Sequence, residues 1–177
     1  MKKNVLIFGS VAGILLSGFM AVAIAKCYGT ADFKGNEVVG YAAMLLIFSL
    51  VFVGVKNFRD RYNGGIISFG KAFRAGFLIA LVASTIYVLV WLVCYYAFFP
   101  DFGDKYTEYI LREARAGGAS AAEMDAKAAE MVRFNKMYRN PLFVILLTYT
   151  EVLPIGTLVA LISALILKRK PRVPQAA

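Results

Sequence analysis

Four long apolar runs constrain this chain more than any other feature of its sequence. They cover residues 5–25, 38–55, 75–99 and 142–167, about half of the 177 residues. Roughly 20 apolar residues cross the hydrocarbon core of a bilayer, and every backbone N–H and C=O group there must be bonded within the protein. The sequence therefore predicts an all-α protein, a bundle of four transmembrane helices.

The composition agrees with this and excludes most kinds of enzyme site. Hydrophobic residues make up 60% of the chain and charged residues 18%, against roughly 45–50% and 25% in soluble domains. There is no histidine, and there are only two cysteines, Cys27 and Cys94. Imidazole bases, His-dependent nucleophiles, haem on a proximal His and His- or Cys-built zinc and iron–sulfur sites are therefore excluded. We expect no enzyme, no cofactor and no metal; whether the two cysteines form a disulfide is left open.

The basic charge predicts the orientation of the bundle. Residues 1–4, 56–74 and 168–177 together carry eleven Lys and Arg and one acid, Asp60. The loop at 26–37 and the segment 101–140 are each neutral. The positive-inside rule then predicts that both termini, with a basic tail from residue 168, lie in the cytoplasm. We expect a single integral membrane domain, residues 1–177. Orientation and attraction to anionic lipid explain the charge, and no nucleic-acid partner is expected.

The segment 101–140 predicts an external helical hairpin between the third and fourth spans. Gly117-Gly118 divides it, and Ser120 with Glu123 has the spacing of a capping box at the start of the second helix. Asn140-Pro141 marks a break before the fourth span.

Small residues at every fourth position predict close helix packing, because spans in lipid associate through small side chains. The helix-packing candidates are Gly9, Gly13, Ser17, Gly76, Ala80, Gly156 and Ala160.

The outer half of the third span carries aromatic residues at the same spacing, namely Tyr87, Trp91, Tyr95 and Phe99. Core packing that grades into an interfacial aromatic belt explains this pattern. A slot for a flat apolar ligand is the alternative.

Glu151 is the one charged residue inside a predicted span. It lies about 13.5 Å along the fourth helix, near mid-bilayer, where a carboxylate costs at least about 2.5 kcal/mol. Pro154 frees the carbonyl of Thr150, so we expect a kink there. Glu151 is then either a neutral hydrogen-bond donor that locks the kink or a proton- or cation-responsive site. The hydroxyl groups considered as its partners are on the third span, at Ser84, Thr85 and Tyr87.

The loop before the third span predicts an interfacial entry into the membrane. Its candidate lipid or partner contacts are Phe69, Lys71, Phe73 and Arg74. The rings suit the headgroup region, and the cations can snorkel toward water.

The chain resembles a family of small bacterial membrane proteins over nearly its whole length. The matching stretches are GYAAM at 40–44, FVGVK at 52–56, RDRY at 59–62, SFGKAF at 68–73, PDF at 100–102, YRNP at 138–141 and ISALI at 162–166. This resemblance is to domain-of-unknown-function family 4199. It implies a single-domain, multi-pass protein of a bacterial cytoplasmic (inner) membrane, and it transfers no catalytic residue.

The sequence favours a non-enzymatic structural or accessory component that binds membrane lipid or a partner. That partner is either a second copy of the chain or another membrane protein. The alternative is a small transporter or channel that uses Glu151. A membrane enzyme acting on lipid would have to use carboxylates such as Asp101 and Asp104.

Overall fold

The structure is a computed structural model that describes residues 1–30, 33 and 37–169. Its α-helices are α1 (Lys2–Thr30), α2 (Glu37–Asn57), α3 (Phe69–Val93), α4 (Phe102–Ala116), α5 (Ala121–Tyr138) and α6 (Pro141–Leu167). Two short π-helical turns follow α2 and α3, at Phe58–Tyr62 and Cys94–Phe98. In these described ranges the only β-type pairing is an isolated bridge between Ile67 and Arg169. The all-α prediction is confirmed.

Four of the helices are long and apolar enough to cross a membrane, as predicted. The apolar stretches are Lys2–Gly29, Val38–Tyr62, Phe69–Phe98 and Pro141–Leu167. Each of these stretches is longer than the apolar run that predicted it. A helix can continue past the hydrocarbon core as long as its end residues keep their backbone hydrogen bonds. The predicted tail from residue 168 lies, beyond Arg169, outside the described residues.

The other three long helices pack around α3. This helix contacts α1, α2 and α6, and α2 also contacts α1 and α6. Helices α1 and α6 therefore occupy opposite corners of the bundle. We call the end of the bundle that carries α4 and α5 the hairpin end, and the other end, where most of the basic flanks lie, the basic end.

Small residues allow α1 and α3 to approach closely in the half of the bundle nearer the basic end. A Cβ atom built on Gly9 would lie 2.7 Å from the Cβ of Val82, and one on Gly13 would lie 2.8 Å from the Cβ of Ile86. Carbon atoms do not approach so closely without displacement. One turn further along α1, Ser17 is also buried.

The contact between α3 and α6 follows the same rule. A Cβ on Gly76 would lie 3.0 Å from the Cβ of Ala160, and one on Gly156 would lie 2.8 Å from the Cβ of Ala80 and 2.7 Å from the Phe48 ring. Ala80 and Ala160 are completely buried. All seven predicted packing residues thus lie at buried positions.

The hairpin forms as predicted. Gly118 has φ +81°, a left-handed conformation that favours glycine. Ser120 and Glu123 form the reciprocal capping box, and backbone and side-chain hydrogen bonds from Ser120 lower the pKa of the Glu123 carboxyl. The Asn140 side chain caps α6 by accepting a hydrogen bond from Leu142 N at 3.0 Å.

The basic end is closed by polar contacts that the sequence pattern did not single out. Asn4 is 2% exposed, and its Nδ2 donates to the Gly54 carbonyl at 2.9 Å. Asn57 Nδ2 in turn donates to Asn4 Oδ1 at 2.6 Å. In the sequence Asn4 stands between two lysines and an apolar run, so it resembles part of a solvated flank.

We predict that Gly13→Leu destabilises the protein far more than Leu15→Ala. Leucine at position 13 must displace Ile86, and such overpacking costs about 1–3 kcal/mol. Leu15 is 49% exposed, so its truncation removes few internal contacts. Thermal unfolding in detergent measures the difference, and equal midpoints for the two variants would contradict the packing.

Candidate functional site

Glu151 lies in the wall of a cavity in the half of the bundle nearer the hairpin. It is ten residues into α6, about 15 Å along the helix axis. The cavity has a volume of about 190 Å³ and is lined by residues of α1, α3, α5 and α6, namely Met20, Ile24, Tyr87, Trp91, Tyr138, Leu147, Thr148 and Glu151. Four helices from three separate parts of the chain therefore line this one cavity.

The cavity begins where the small-residue contacts end. On α1 the small residues at every fourth position continue from buried Ser17 to half-buried Ala21 and exposed Ala25. On α3, the small side chains of Ala80 and Ser84 give way to Tyr87 and Trp91. The large rings of Tyr87 and Trp91 line the cavity, so small-residue contacts do not close this half of the bundle.

Aromatic residues of the hairpin cover the cavity. The ring of Phe102 meets that of Trp91 edge-on at 5.6 Å between centroids, and Tyr138 meets Tyr95 at 5.1 Å. Burial raises the pKa of the Tyr138 phenol, against an opposing hydrogen bond with the Trp91 side chain. Tyr138 is therefore a neutral ring at physiological pH. The aromatic series predicted on α3 thus lines both a cavity and the interface with the hairpin.

The hydrogen bonds expected of Glu151 are not formed. Thr85 Oγ1 lies 2.7 Å from the hydroxyl of Tyr149 and 2.7 Å from the Leu81 carbonyl that it donates to. Ser84 is fully buried, and its hydroxyl has no partner within the described part of the chain. Tyr87 shares the cavity with Glu151 without a hydrogen bond to it. Across residues 1–30, 33 and 37–169, no hydrogen bond or ion pair involves the Glu151 side chain. Glu151 is an exposed residue of α6.

The residues Glu151, Thr150 and Pro154 do not form one site, contrary to the sequence expectation. Thr150 and Pro154 line a separate apolar groove of about 600 Å³ on the surface of α6, together with Phe73 of α3. Thr150 and Pro154 are four residues apart and share a face of the helix, whereas Thr150 and Glu151, as consecutive residues, are about 100° apart around it. Helix α6 continues through Pro154, and Thr150 Oγ1 donates to the Leu147 carbonyl at 2.7 Å.

The predicted lipid contacts lie at the basic end of α3. Phe69 and Phe73 stack at 6.1 Å with an interplanar angle of 7°, and Arg74 is exposed. The Lys71 ammonium group donates to Asn63 Oδ1 and lies 5.8 Å from the centroid of the Phe58 ring, and Lys71 is exposed. The turn at Gly64-Gly65, where both residues have positive φ, brings Asn63 back toward the start of α3.

A polar contact, which we call the latch, joins the end of α1 to the hairpin. The Tyr28 hydroxyl donates to Asp101, and Lys105 Nζ lies 3.2 Å from the same carboxylate. That ammonium also lies 3.6 Å from the centroid of the Tyr28 ring. Asp101, a carboxylate considered for lipid chemistry, is thus engaged in holding α4 onto α1.

Other chemical sites considered from the sequence do not assemble. Within the described ranges, no group of three Cys, Asp or Glu side chains is close enough to hold a metal ion. No disulfide joins Cys27 and Cys94. Asp104 lines a separate cavity of about 240 Å³ with Arg139 and Asn135.

Comparison with known families agrees with the sequence resemblance. Residues 7–169 match the model of the family described as "Protein of unknown function (DUF4199)". The chain belongs to this family. The matched range includes every residue that lines the Glu151 cavity, so the site lies within the region that defines the family. Searches of curated proteins and of solved structures found no match.

We predict that Tyr28→Phe loosens the hairpin without unfolding the bundle. The variant keeps the ring contact with Phe99 at 4.8 Å and loses the hydrogen bond to Asp101, worth about 1 kcal/mol at a partly exposed site. Hydrogen exchange in α4 should become faster. Tyr41→Phe, at a tyrosine that is 52% exposed, is the matched control, and unchanged exchange in both variants would show that the latch does not hold the hairpin.

Proposed function

We propose that this protein is a non-enzymatic, ligand-binding component of a bacterial cytoplasmic membrane, and that the cavity at Glu151 is its binding site. In this proposal the basic end faces the cytoplasm and the hairpin lies outside. The ligand is small, because a cavity of about 190 Å³ is below the roughly 300–1,000 Å³ of typical drug-sized sites.

The observation that carries the proposal is a carboxyl group in the cavity wall that has no bonded partner in the described chain. A purely structural glutamate at this depth would need hydrogen bonds to offset its removal from water. Ionisable groups inside membranes otherwise mark ligand or ion sites. The hydroxyls that could have served a structural role are buried or engaged elsewhere.

The packing beneath the cavity supports a site entered from one side. Gly156 is in close contact with Phe48 and Ala80, and Val152, one turn before it, is fully buried. A continuous pore would have to pass through these contacts. A small transporter remains the second candidate, since the same cavity would serve as the outward-facing half of its substrate path.

Lipid is the second partner in this proposal. Acyl chains would fill the apolar groove beside Phe73 and Pro154, and anionic headgroups would meet exposed cations such as Arg74. Each cation near the surface contributes about 1 kcal/mol to such attraction. A second copy of the chain could cover the same groove.

Cysteine labelling in intact cells tests the proposal. In a background in which Cys27 and Cys94 are replaced by alanine, three single cysteines are compared by replacing Leu147, Leu158 and Arg61. Leu147 lines the cavity, Leu158 is 53% exposed in the apolar groove, and Arg61 is exposed at the basic end. A membrane-impermeant thiol reagent added outside should label Leu147→Cys only.

Three other labelling results would each change the proposal. Labelling of Arg61→Cys in intact cells would show that the orientation is the reverse of the one proposed. No labelling of Leu147→Cys, in intact or permeabilised cells, would mean a dry cavity and would contradict the binding site. Labelling of Leu147→Cys from both sides of the membrane, with Arg61→Cys labelled only after permeabilisation, would favour the transporter.

A further inference from the structure

The Glu151 cavity combines one acidic group with three aromatic side chains, and we infer that it binds a quaternary ammonium group. Glu151 supplies the opposite charge, and Tyr87, Trp91 and Tyr138 supply the ring faces and edges around it. This inference rests on the proposed function, because it names the class of ligand that the same cavity takes.

The electrostatics of the cavity favour a cation. Glu151 is the one carboxylic acid among the lining residues, and none of them is basic. Arg139, which follows Tyr138, lines the separate cavity that contains Asp104. An anionic or electron-rich ligand would therefore be repelled by the carboxylate, with no basic side chain in the wall to offset the repulsion. A cation would instead neutralise the carboxylate.

The aromatic residues determine which cation fits best. The quadrupole of an aromatic ring attracts a cation placed over its face, and enclosures of several rings characteristically recognise alkylated ammonium groups. Trp91 and Tyr87 are 7% and 8% exposed, so their rings are held in place by the core. Neither ring has to be ordered when the ligand enters, which lowers the entropic cost of binding.

The hydrogen-bonding capacity distinguishes a quaternary ammonium from a primary amine. A primary ammonium carries three N–H donors, and each donor left unsatisfied in a buried site costs about 1–3 kcal/mol. The Thr148 hydroxyl lies 2.8 Å from the Val144 carbonyl that it donates to. Apart from Glu151, the other lining residues are aliphatic or aromatic, with phenol oxygens at Tyr87 and Tyr138. A quaternary ammonium has no N–H group, so it needs only charge and contact.

The chain provides its own reporter for this site, since Trp91 is its single tryptophan. The protein is placed in phosphatidylglycerol nanodiscs, and its fluorescence is followed as choline is added. The control ligand is 3,3-dimethylbutanol, which has the shape of choline without the charge. We expect a saturable change with choline and at least a tenfold weaker response to the neutral analogue.

Two variants test the assigned contacts. Glu151→Gln should weaken choline binding at least tenfold, while its unchanged emission spectrum and circular dichroism establish that it folds. Tyr138→Phe keeps the ring and should bind choline within about threefold of the parent, whereas Tyr138→Leu removes the ring and should bind more weakly. Equal affinity for choline and 3,3-dimethylbutanol, or undiminished binding to the Glu151→Gln variant, would overturn the inference.

A second lipid distinguishes a free solute from a lipid headgroup. In phosphatidylcholine nanodiscs, a lipid headgroup that occupies the site would abolish the response to added choline, and a retained response would assign the site to a free solute. If Leu147→Cys is labelled but no quaternary ammonium binds, the ligand class is wrong and the binding cavity stands. If Leu147→Cys is not labelled, the proposed function itself fails.

Discussion

The close contacts between small residues of α1, α3 and α6 determine the rest of this structure. Gly9 and Gly13 bring α1 against α3, and Gly156 brings α6 against Ala80 and Phe48. In lipid, this packing replaces the hydrophobic driving force that holds soluble bundles together. It closes the half of the bundle nearer the basic end. Further along α3 the large rings of Tyr87 and Trp91 replace these small residues, and the cavity lies beside them.

This arrangement explains why Glu151 can be tolerated in an apolar helix. Glu151 lines a cavity and is exposed, so it is not enclosed in a packed core. At the packed positions Val152 and Gly156 of the same helix, a carboxylate would instead be enclosed by hydrocarbon. Natural proteins often retain such locally unfavourable residues where function requires them.

The hairpin belongs to the same design. Its aromatic residues Phe102 and Tyr138 cover the cavity, and the latch between Tyr28 and Asp101 holds α4 against the end of α1. The helical hairpin is therefore part of the site and not only a connection between spans. Loosening the latch should change access to Glu151 before it changes the stability of the bundle.

The sequence was sufficient for the parts of the structure that depend on local patterns. Apolar run length predicted the four spans, and Ser120 with Glu123 predicted the start of α5, because both signals are contained within one helix. The separation of Thr150 from Glu151 follows from helical geometry, but which face meets a cavity depends on the neighbouring helices. Asn4 could not be singled out either, since its partners are 50 and 53 residues away and no local pattern marks them.

If Glu151 is kept for binding and not for stability, its replacement by leucine should not destabilise the protein, and thermal unfolding of Glu151→Leu measures this. Asn4→Leu is the matched comparison, because it replaces a polar residue that has two structural hydrogen bonds. We expect Glu151→Leu to unfold at the same temperature as the parent or higher, while Asn4→Leu unfolds several degrees lower. A loss of stability in Glu151→Leu as large as that in Asn4→Leu would show that Glu151 is a structural residue.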